Sequence, residues 1–153
     1  MNRIILSLFF SFCFLLACRD KVKTYENDLG IDPAVVAQID TANYTTIEWM
    51  ETVKDFGIAK EGDSVFVTFR FKNTGRGELY ISEVLSSCGC TVADYPRHAV
   101  LPGESGEIKA TFNSHGNTGF IHKEITVTTN TSNKIKQLPS FKGEVRDSLS
   151  LSR

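Results

Sequence analysis

Two cysteines separated by one glycine are the most chemically distinctive feature of the chain. Cys88-Gly89-Cys90 follows an apolar stretch and precedes Thr91, in a predicted link between two strands. In an extended chain, alternate Cα atoms lie roughly 6.6 Å apart, at the upper edge of the roughly 4.4–6.8 Å that a disulfide spans. Gly89 would therefore have to fold the backbone to close a bridge. A strained bridge of this kind would be reduced more easily than an ordinary structural one.

Three interpretations of Cys88 and Cys90 are open. The two side chains could form a local structural pair, either packed as small apolar groups or joined by a disulfide. They could instead be redox-active, although the sequence lacks a CxxC motif at a helix start to lower the pKa of a thiol. A zinc site would need further ligands, and the only histidines are His98, His115 and His122, which show no ligand spacing.

Cys18 stands at the end of an N-terminal hydrophobic segment. Arg3 precedes an apolar run, residues 4–16, whose length fits the roughly 7–15 residues of an export signal. It is shorter than the roughly 20 residues that a spanning helix needs. Leu15-Leu16-Ala17-Cys18 resembles the lipobox of bacterial lipoproteins, with Leu16 where a small residue is usual. The match implies that the Cys18 thiol carries a diacylglycerol and its amine a further acyl chain.

These signals predict a four-part organisation of the chain. Residues 1–17 are the lipoprotein signal peptide, residues 18–43 a lipid-anchored tether, residues 44–146 one folded domain and residues 147–153 a C-terminal tail. Within the tether, Asp32 followed by Pro33 indicates the start of a short helix. Several acyl chains, at about 0.8 kcal/mol per buried methylene, hold a protein on a membrane without a spanning helix.

Composition excludes some partners. The formal net charge is -1, and the chain is 41% hydrophobic and 23% charged. A nucleic-acid surface would need a clustered basic excess, and so would electrostatic binding to anionic lipid. No nucleophile motif, zinc-protease motif or glycine-rich phosphate loop is present. We therefore expect a non-catalytic protein with no cofactor and no nucleic-acid partner.

Alternating residues predict β-strands from residue 44 onward. In residues 64–72, Val65, Val67, Phe69 and Phe71 share one face, and only Phe66 breaks the alternation. Residues 107–112 repeat the pattern. Other predicted strands are residues 45–51, 78–85, 120–128 and 135–145. Because each alternating strand must bury one face, we expect an antiparallel all-β sandwich of about seven strands.

Turn residues separate these strands. Asn73 and Gly75 lie in a segment predicted to supply residues that tolerate a positive φ, and Pro102-Gly103 fits a type II turn. Pro139 cannot donate a backbone hydrogen bond, so the last strand is expected to lie at an edge there or to bulge.

The order of the motifs resembles the domain of unknown function family 1573. The resemblance covers about residues 45–146 and rests on Asp55-Phe56-Gly57, Phe71-Lys72-Asn73-Thr74-Gly75, Leu79-Tyr80-Ile81, Ser87-Cys88-Gly89-Cys90-Thr91, Pro102-Gly103-Glu104-Ser105-Gly106 and Gly143-Glu144-Val145. It implies an immunoglobulin-like sandwich of the kind found in envelope lipoproteins of Bacteroidetes, distantly similar to PapD-like and major-sperm-protein domains. Pro139 departs from the family's usual aliphatic residue. The resemblance implies no reaction.

The leading functional hypothesis is a lipid-anchored binding or scaffolding domain of the cell envelope with a protein partner. The sequence lacks an acidic run after Cys18, which favours the periplasmic face of the outer membrane. The alternative is a thiol-based redox or soft-metal-handling factor using Cys88 and Cys90. A third hypothesis, carbohydrate or peptidoglycan binding, would need Trp49, Tyr80 and Tyr95 exposed on one face, whereas Trp49 is expected in the core.

Overall fold

Two β-sheets packed face to face make up the fold in the computed structural model, which describes residues 30–87 and 91–147. Over these residues the elements are α1 (Pro33–Ile39), a 3-10 turn (Thr41–Asn43), β1 (Ile47–Trp49), β2 (Val53–Lys60), β3 (Ser64–Asn73), β4 (Ile81–Ser86), β5 (Thr91–Asp94), β6 (Ser105–Asn113), β7 (Gly119–Thr129), β8 (Lys136–Gln137) and β9 (Ser140–Arg146). The sheets run β1-β3-β6-β5 and β2-β9-β7-β4, and β8 pairs with β7. This is the predicted immunoglobulin-like sandwich.

In the two central strands of the first sheet, inward-facing and outward-facing side chains alternate as predicted. β3 and β6 pair antiparallel without interruption, with Val67 opposite Ala110 and Phe69 opposite Ile108. All four side chains are buried. The core between the sheets also contains Phe71, Leu79, Phe112, Ile125, Val127, Phe141 and Val145. Apolar burial at period two therefore holds the two sheets together.

Strand β2 is absent from the sequence predictions because its alternation is interrupted. Its pairing with β9 shifts register between Asp55 and Ile58. Gly57 has a φ of +72°, and its N–H donates to Asp55 Oδ1 at 2.8 Å. A bulge of this kind inserts a residue and moves the following side chains to the other face. The β2–β9 pair is also parallel, whereas the other strand pairs of the two sheets are antiparallel.

Pro139 divides what the sequence presents as one long final strand. It lies between β8 and β9, and its carbonyl accepts from Ile125 N at 2.9 Å. Pairing with β2 begins only at Ser140, so at Pro139 the chain has β7 on one side and lies at an edge, as the sequence predicts. β9 begins after the proline and has partners on both sides, β2 and β7. Proline has no N–H to donate to a neighbouring strand, so β9, which is paired on both sides, begins one residue after it.

Helix α1 lies against β4 and belongs to the same compact unit as the sandwich. Asp32 caps it, accepting from Ala34 N at 2.8 Å, and Pro33 occupies the first turn as the sequence indicates. Ala34 is buried, and Tyr44 Oη donates to the carbonyl of Gln38 at 2.7 Å. In the described part of the chain, no helix has the length and apolar character needed to cross a membrane. The boundaries of signal peptide, tether and tail stay predictions.

Candidate functional site

The Cys88-Gly89-Cys90 motif, including Gly89, and the lipobox cysteine Cys18 lie outside the described residues. The strands that flank the motif are described. β4 is an edge strand of the second sheet and β5 an edge strand of the first, so the motif connects the two sheets. Ser86 Oγ donates to the carbonyl of Thr91 at 3.0 Å, and Ser87 N donates to the carbonyl of Glu124 at 3.1 Å. Hydrogen bonds therefore hold the residues on either side of the motif.

Over residues 30–87 and 91–147, no three metal-ligating side chains cluster. His115 is exposed, with Nδ1 3.4 Å from Glu61 Oε1. His122 points outward from β7, and His98 lies in the link between β5 and β6. The redox and metal interpretations of the cysteines stay predictions.

The aromatic side chains named for carbohydrate binding have other partners. Trp49 packs on Phe71 with ring centroids 5.4 Å apart, at the border of the core. Tyr80 Oη donates to Glu78 Oε2 at 2.7 Å. The Tyr95 ring lies against the core and carries a guanidinium above it.

Asn73 forms the centre of a buried polar cluster at one end of the sandwich. Its Oδ1 accepts from Thr45 Oγ1 at 2.7 Å and from Gly75 N at 3.1 Å. Its Nδ2 donates to the carbonyls of Gly77 at 2.8 Å and Val100 at 2.9 Å. Asn73 is fully buried, and both polar atoms of its side chain have two partners. The side chain thus ties three loops together with no unpaired polar group.

Gly75 and Gly77 are required for close approach of two chain segments. The sequence predicts residues that tolerate a positive φ in this turn, but neither glycine adopts one. A Cβ on Gly75 would overlap Thr45 Oγ1 and lie 2.5 Å from Thr46 N, and one on Gly77 would lie 2.8 Å from the carbonyl oxygen of Asn43. Side chains are therefore excluded by the neighbouring backbone.

The Pro102-Gly103 turn adjoins the same cluster. Gly103 has a φ of +82°, and Glu104 N donates to the carbonyl of Leu101 at 2.9 Å, as a type II turn requires. Gly103 N donates to the carbonyl of Asn73 at 2.8 Å, and Asn73 N donates to the carbonyl of Glu104 at 2.9 Å. The structure therefore brings the predicted turn residues together, and the contacts they make are structural.

A second surface, which the sequence predictions missed, lies on the outer face of β2, β9 and β7. Six side chains form two rows across these strands. One row is Asp55, Lys142 and His122, and the other is Ile58, Glu144 and Phe120. These six residues are called the Phe120 face. Phe120 is 90% exposed and Ile58 is 55% exposed. Together with the backbone of Gly143 they line a groove of about 530 Å³.

Charges of both signs surround this groove. Glu144 accepts two bonds from Arg146, at 3.0 and 2.9 Å, and this pairing lowers the pKa of the Glu144 carboxyl. Lys142 lies beside it on the same strand. The floor at Gly143 packs closely on the Phe56 ring, which lies against the core, because a Cβ at position 143 would overlap that ring. The face combines an apolar centre with a charged rim.

The alternation of residues along β7 was sufficient to predict that the Phe120 side chain points to solvent. Ile121, Ile125 and Val127 are buried and share one parity, whereas Phe120 has the other. Because successive strand residues point to opposite faces, the parity of the buried residues assigns Phe120 to the outside.

Comparisons with known proteins agree with this architecture. A family described as protein of unknown function (DUF1573) matches residues 47–145. The chain belongs to that family. The DUF1573 match includes β1 to β8 and all of β9 except Arg146. No curated protein matches the chain.

Solved structures share the fold at low sequence identity. A Porphyromonas gingivalis protein of unknown function is 19% identical with a TM-score of 0.60, over 68% of this chain and 48% of that one. The ASH/PapD-like domain of human CEP192 is 10% identical with a TM-score of 0.56, over 69% of this chain and 89% of that one. The VesB protease of Vibrio cholerae is 11% identical with a TM-score of 0.53, over 72% of this chain and 34% of that one. This chain thus spans about half of the Porphyromonas gingivalis protein.

Proposed function

We propose that this chain is a non-catalytic binding or scaffolding domain of the bacterial cell envelope, held at a membrane by lipid on Cys18. In this proposal the Phe120 face docks a protein partner. The observation that carries it is the exposure of Phe120 and Ile58 beside a groove on the outer face of the sheet. Large apolar side chains surrounded by polar ones mark interaction surfaces in soluble domains. Full burial of such a side chain contributes about 1.5–3 kcal/mol.

The charges of the face favour a protein over other partners. Asp55 and Glu144 are acidic, whereas Lys142 and Arg146 are basic. A polyanion or an anionic bilayer would require a basic excess, which this surface lacks. An apolar centre with mixed charges at its rim is the ordinary composition of a protein interface. The complementary surface should therefore offer an apolar side chain flanked by charges of both signs.

Lipid attachment would keep this face close to its partner. The Leu15-Leu16-Ala17-Cys18 motif supports anchoring, and the segment between it and α1 is polar. A tether confines both molecules to one membrane surface, which raises their effective concentration. A weak interface would then be sufficient for docking, and we place it on the periplasmic side of the outer membrane.

Photo-crosslinking in intact cells tests the docking proposal. The full chain carries a photoreactive phenylalanine analogue at position 120, and cross-linked products are identified by mass spectrometry. We expect one reproducible envelope protein, and Ile58→Ser should reduce its capture about tenfold, which corresponds to about 1.4 kcal/mol. The matched control, Leu101→Ser, replaces a similarly exposed aliphatic residue outside the face. Equal capture by both variants would refute docking through the Phe120 face.

A thiol-based role for Cys88 and Cys90 is the second candidate. The hydrogen bonds at Ser86 and Ser87 favour it, because they hold the strands on either side of the motif while the chain crosses between sheets. Thiol counting of the purified full chain with and without reductant, together with elemental analysis, tests this role. Reversible oxidation or bound metal that Cys88→Ser abolishes would support it. A bridge that resists reductant in a metal-free protein would rule it out.

A further inference from the structure

Half of one edge of β3 has no neighbouring strand among the described residues. β1 pairs only with Phe71–Asn73 at the end of β3. The amide of Met50 donates to the carbonyl of Arg70, on the side of β1, at 3.0 Å. On the other side, the amide of Ser114 donates to the carbonyl of Asp63 at 3.0 Å. Backbone groups alternate in direction along a strand, and the β3–β6 register is continuous. The N–H and C=O groups of Ser64, Phe66 and Thr68 therefore point to the open edge.

Other sheet edges carry features that prevent strand addition. β2 has the bulge after Asp55 and ends in Lys60, β4 has a register shift before Glu83, and β5 is four residues long and ends in Asp94. Bulges, charges and short length are the usual protection of an edge. The open part of β3 has none of these. Its central side chain, Phe66, is 77% exposed and is the residue that breaks the alternation of the strand.

We propose that this edge pairs with the same edge of a second copy of the chain, in antiparallel register about a two-fold axis at Phe66. Phe66 then lies opposite Phe66 of the other copy, Val65 opposite Val67, and Ser64 opposite Thr68. The Phe66 residues exchange two backbone hydrogen bonds, and each Ser64 exchanges two with a Thr68. The segment is self-complementary, because apolar residues oppose apolar residues and hydroxyl residues oppose hydroxyl residues.

Charge complementarity at the ends of the pairing identifies a second copy as the occupant. The same register puts Gly62 opposite Arg70 of the other copy. The turn around Gly62 carries the carboxylates of Glu61 and Asp63. The Arg70 side chain is 69% exposed, and its Nε forms a long ion pair with Glu107 Oε2 at 3.9 Å, so most of the guanidinium faces solvent. Lys54 lines the groove of about 370 Å³ beside this edge and is already paired with Glu51 of its own chain. Each acidic turn would thus meet the Arg70 guanidinium of the other copy.

Engineered disulfides test the register. The full chain is purified with Cys88→Ser and Cys90→Ser as background, and Phe66→Cys is added. Directly opposed residues of such a pair lie about 5.5 Å apart at Cα, within bridging range, so we expect a covalent dimer on oxidation. The matched control, Thr68→Cys, places its two copies roughly 13 Å apart and should stay monomeric on a non-reducing gel.

Absence of a covalent dimer from Phe66→Cys would overturn the proposal, as would equal yields from Phe66→Cys and Thr68→Cys. A disulfide to a different envelope protein would overturn it as well, because the edge would then receive a foreign strand. The thermal unfolding curve of each variant shows that the domain is folded.

The monomer–dimer equilibrium of the chain without engineered cysteines tests the proposal independently of the disulfide experiment. We expect analytical ultracentrifugation in detergent to find a dimer whose dissociation constant Phe66→Lys raises at least about tenfold, since like charges would then face each other across the axis. Phe120→Ser should leave the dimer unchanged, because Phe120 lies on the other sheet. Conversely, Phe66→Lys should still be captured by the partner of the Phe120 face, so failure of one proposal is distinguishable from failure of the other.

Discussion

Asn73 illustrates how one buried polar residue organises three loops. Each of its four hydrogen bonds joins a different backbone or side-chain group; two of them are buried and two are partly buried. A buried amide with every polar atom paired specifies one arrangement of its neighbours, because any other arrangement leaves groups unpaired. The role of Asn73 is therefore to fix geometry.

Asn73→Ala should lower the free energy of unfolding by about 3 kcal/mol, because each buried group left unpaired costs about 1–3 kcal/mol. Urea denaturation measures the change. Asn43→Ala removes an exposed amide that bonds Asp40 and should change stability by less than about 0.5 kcal/mol. Equal effects of the two substitutions would contradict the structural role of the cluster.

The phenol of Tyr80 should ionise at a higher pH than a free tyrosine. Partial burial, followed by its hydrogen bond to Glu78 and the nearby charge of that residue, raises the pKa of Tyr80 from 10.0 to about 12. Since the neutral phenol is favoured in the folded state, its contribution to stability is complete below pH 10 and is lost as the pH rises toward 12. The ultraviolet absorbance of phenolate measures this titration.

Tyr80→Phe should remove the titration component near pH 12. Glu78→Gln should lower the midpoint of that component, since it removes the charge while leaving the burial in place. A single component near pH 10 in the unsubstituted protein would contradict the assignment.

At the scale of single elements, β3 differs between its two edges. One edge is paired with β6 along nine residues, and the other is paired only at its end. An amide that lacks a partner exchanges its hydrogen with solvent far faster than one in a ladder.

Hydrogen exchange in β3 should therefore alternate. In dilute solution, the amides of Phe66 and Thr68 should exchange roughly a hundredfold faster than those of Val65 and Val67, which face β6. NMR measures the rates residue by residue. As the protein concentration rises, the amide of Phe66 should slow while that of Val67 stays constant. Uniform rates along β3 at every concentration would contradict both the open edge and its pairing.

At the scale of the whole molecule, the central residues of the two proposed interfaces lie on different sheets, and Asp55 borders both grooves. The Phe120 face belongs to the second sheet, and the open edge of β3 belongs to the first. A dimer formed through β3 would present two copies of the Phe120 face to the envelope. Two weak docking sites on one anchored assembly bind with higher avidity than either site alone.

The anchor itself is open to a direct test. Cys18→Ser should move the protein from the membrane fraction to the soluble or unprocessed fraction, because no thiol remains to carry the diacylglycerol. Immunoblotting of fractionated cells measures the distribution. Globomycin should cause the unsubstituted precursor to accumulate. Continued membrane fractionation of Cys18→Ser, or unchanged processing with globomycin, would contradict lipid attachment.

Local sequence patterns were sufficient to predict four features: the β-sandwich class, the alternating buried residues of β3 and β6, the cap of α1 and the Pro102-Gly103 turn. Period-two burial and the special dihedral angles of proline and glycine act within a few residues, so they can be recognised without knowing which segments meet. The same reasoning failed at β2, where one inserted residue shifts the alternation.

Only the tertiary structure decided which residues that are distant in sequence meet in the fold. The need for glycine at position 75 comes from Thr46, which β1 brings against it. The Phe120 face exists because β2, β9 and β7 align in one register. The open edge of β3 exists because β1 leaves the first sheet after Trp49. Strand partners are chosen by packing of the whole core, and that choice places a side chain such as Phe66 or Phe120 in solvent.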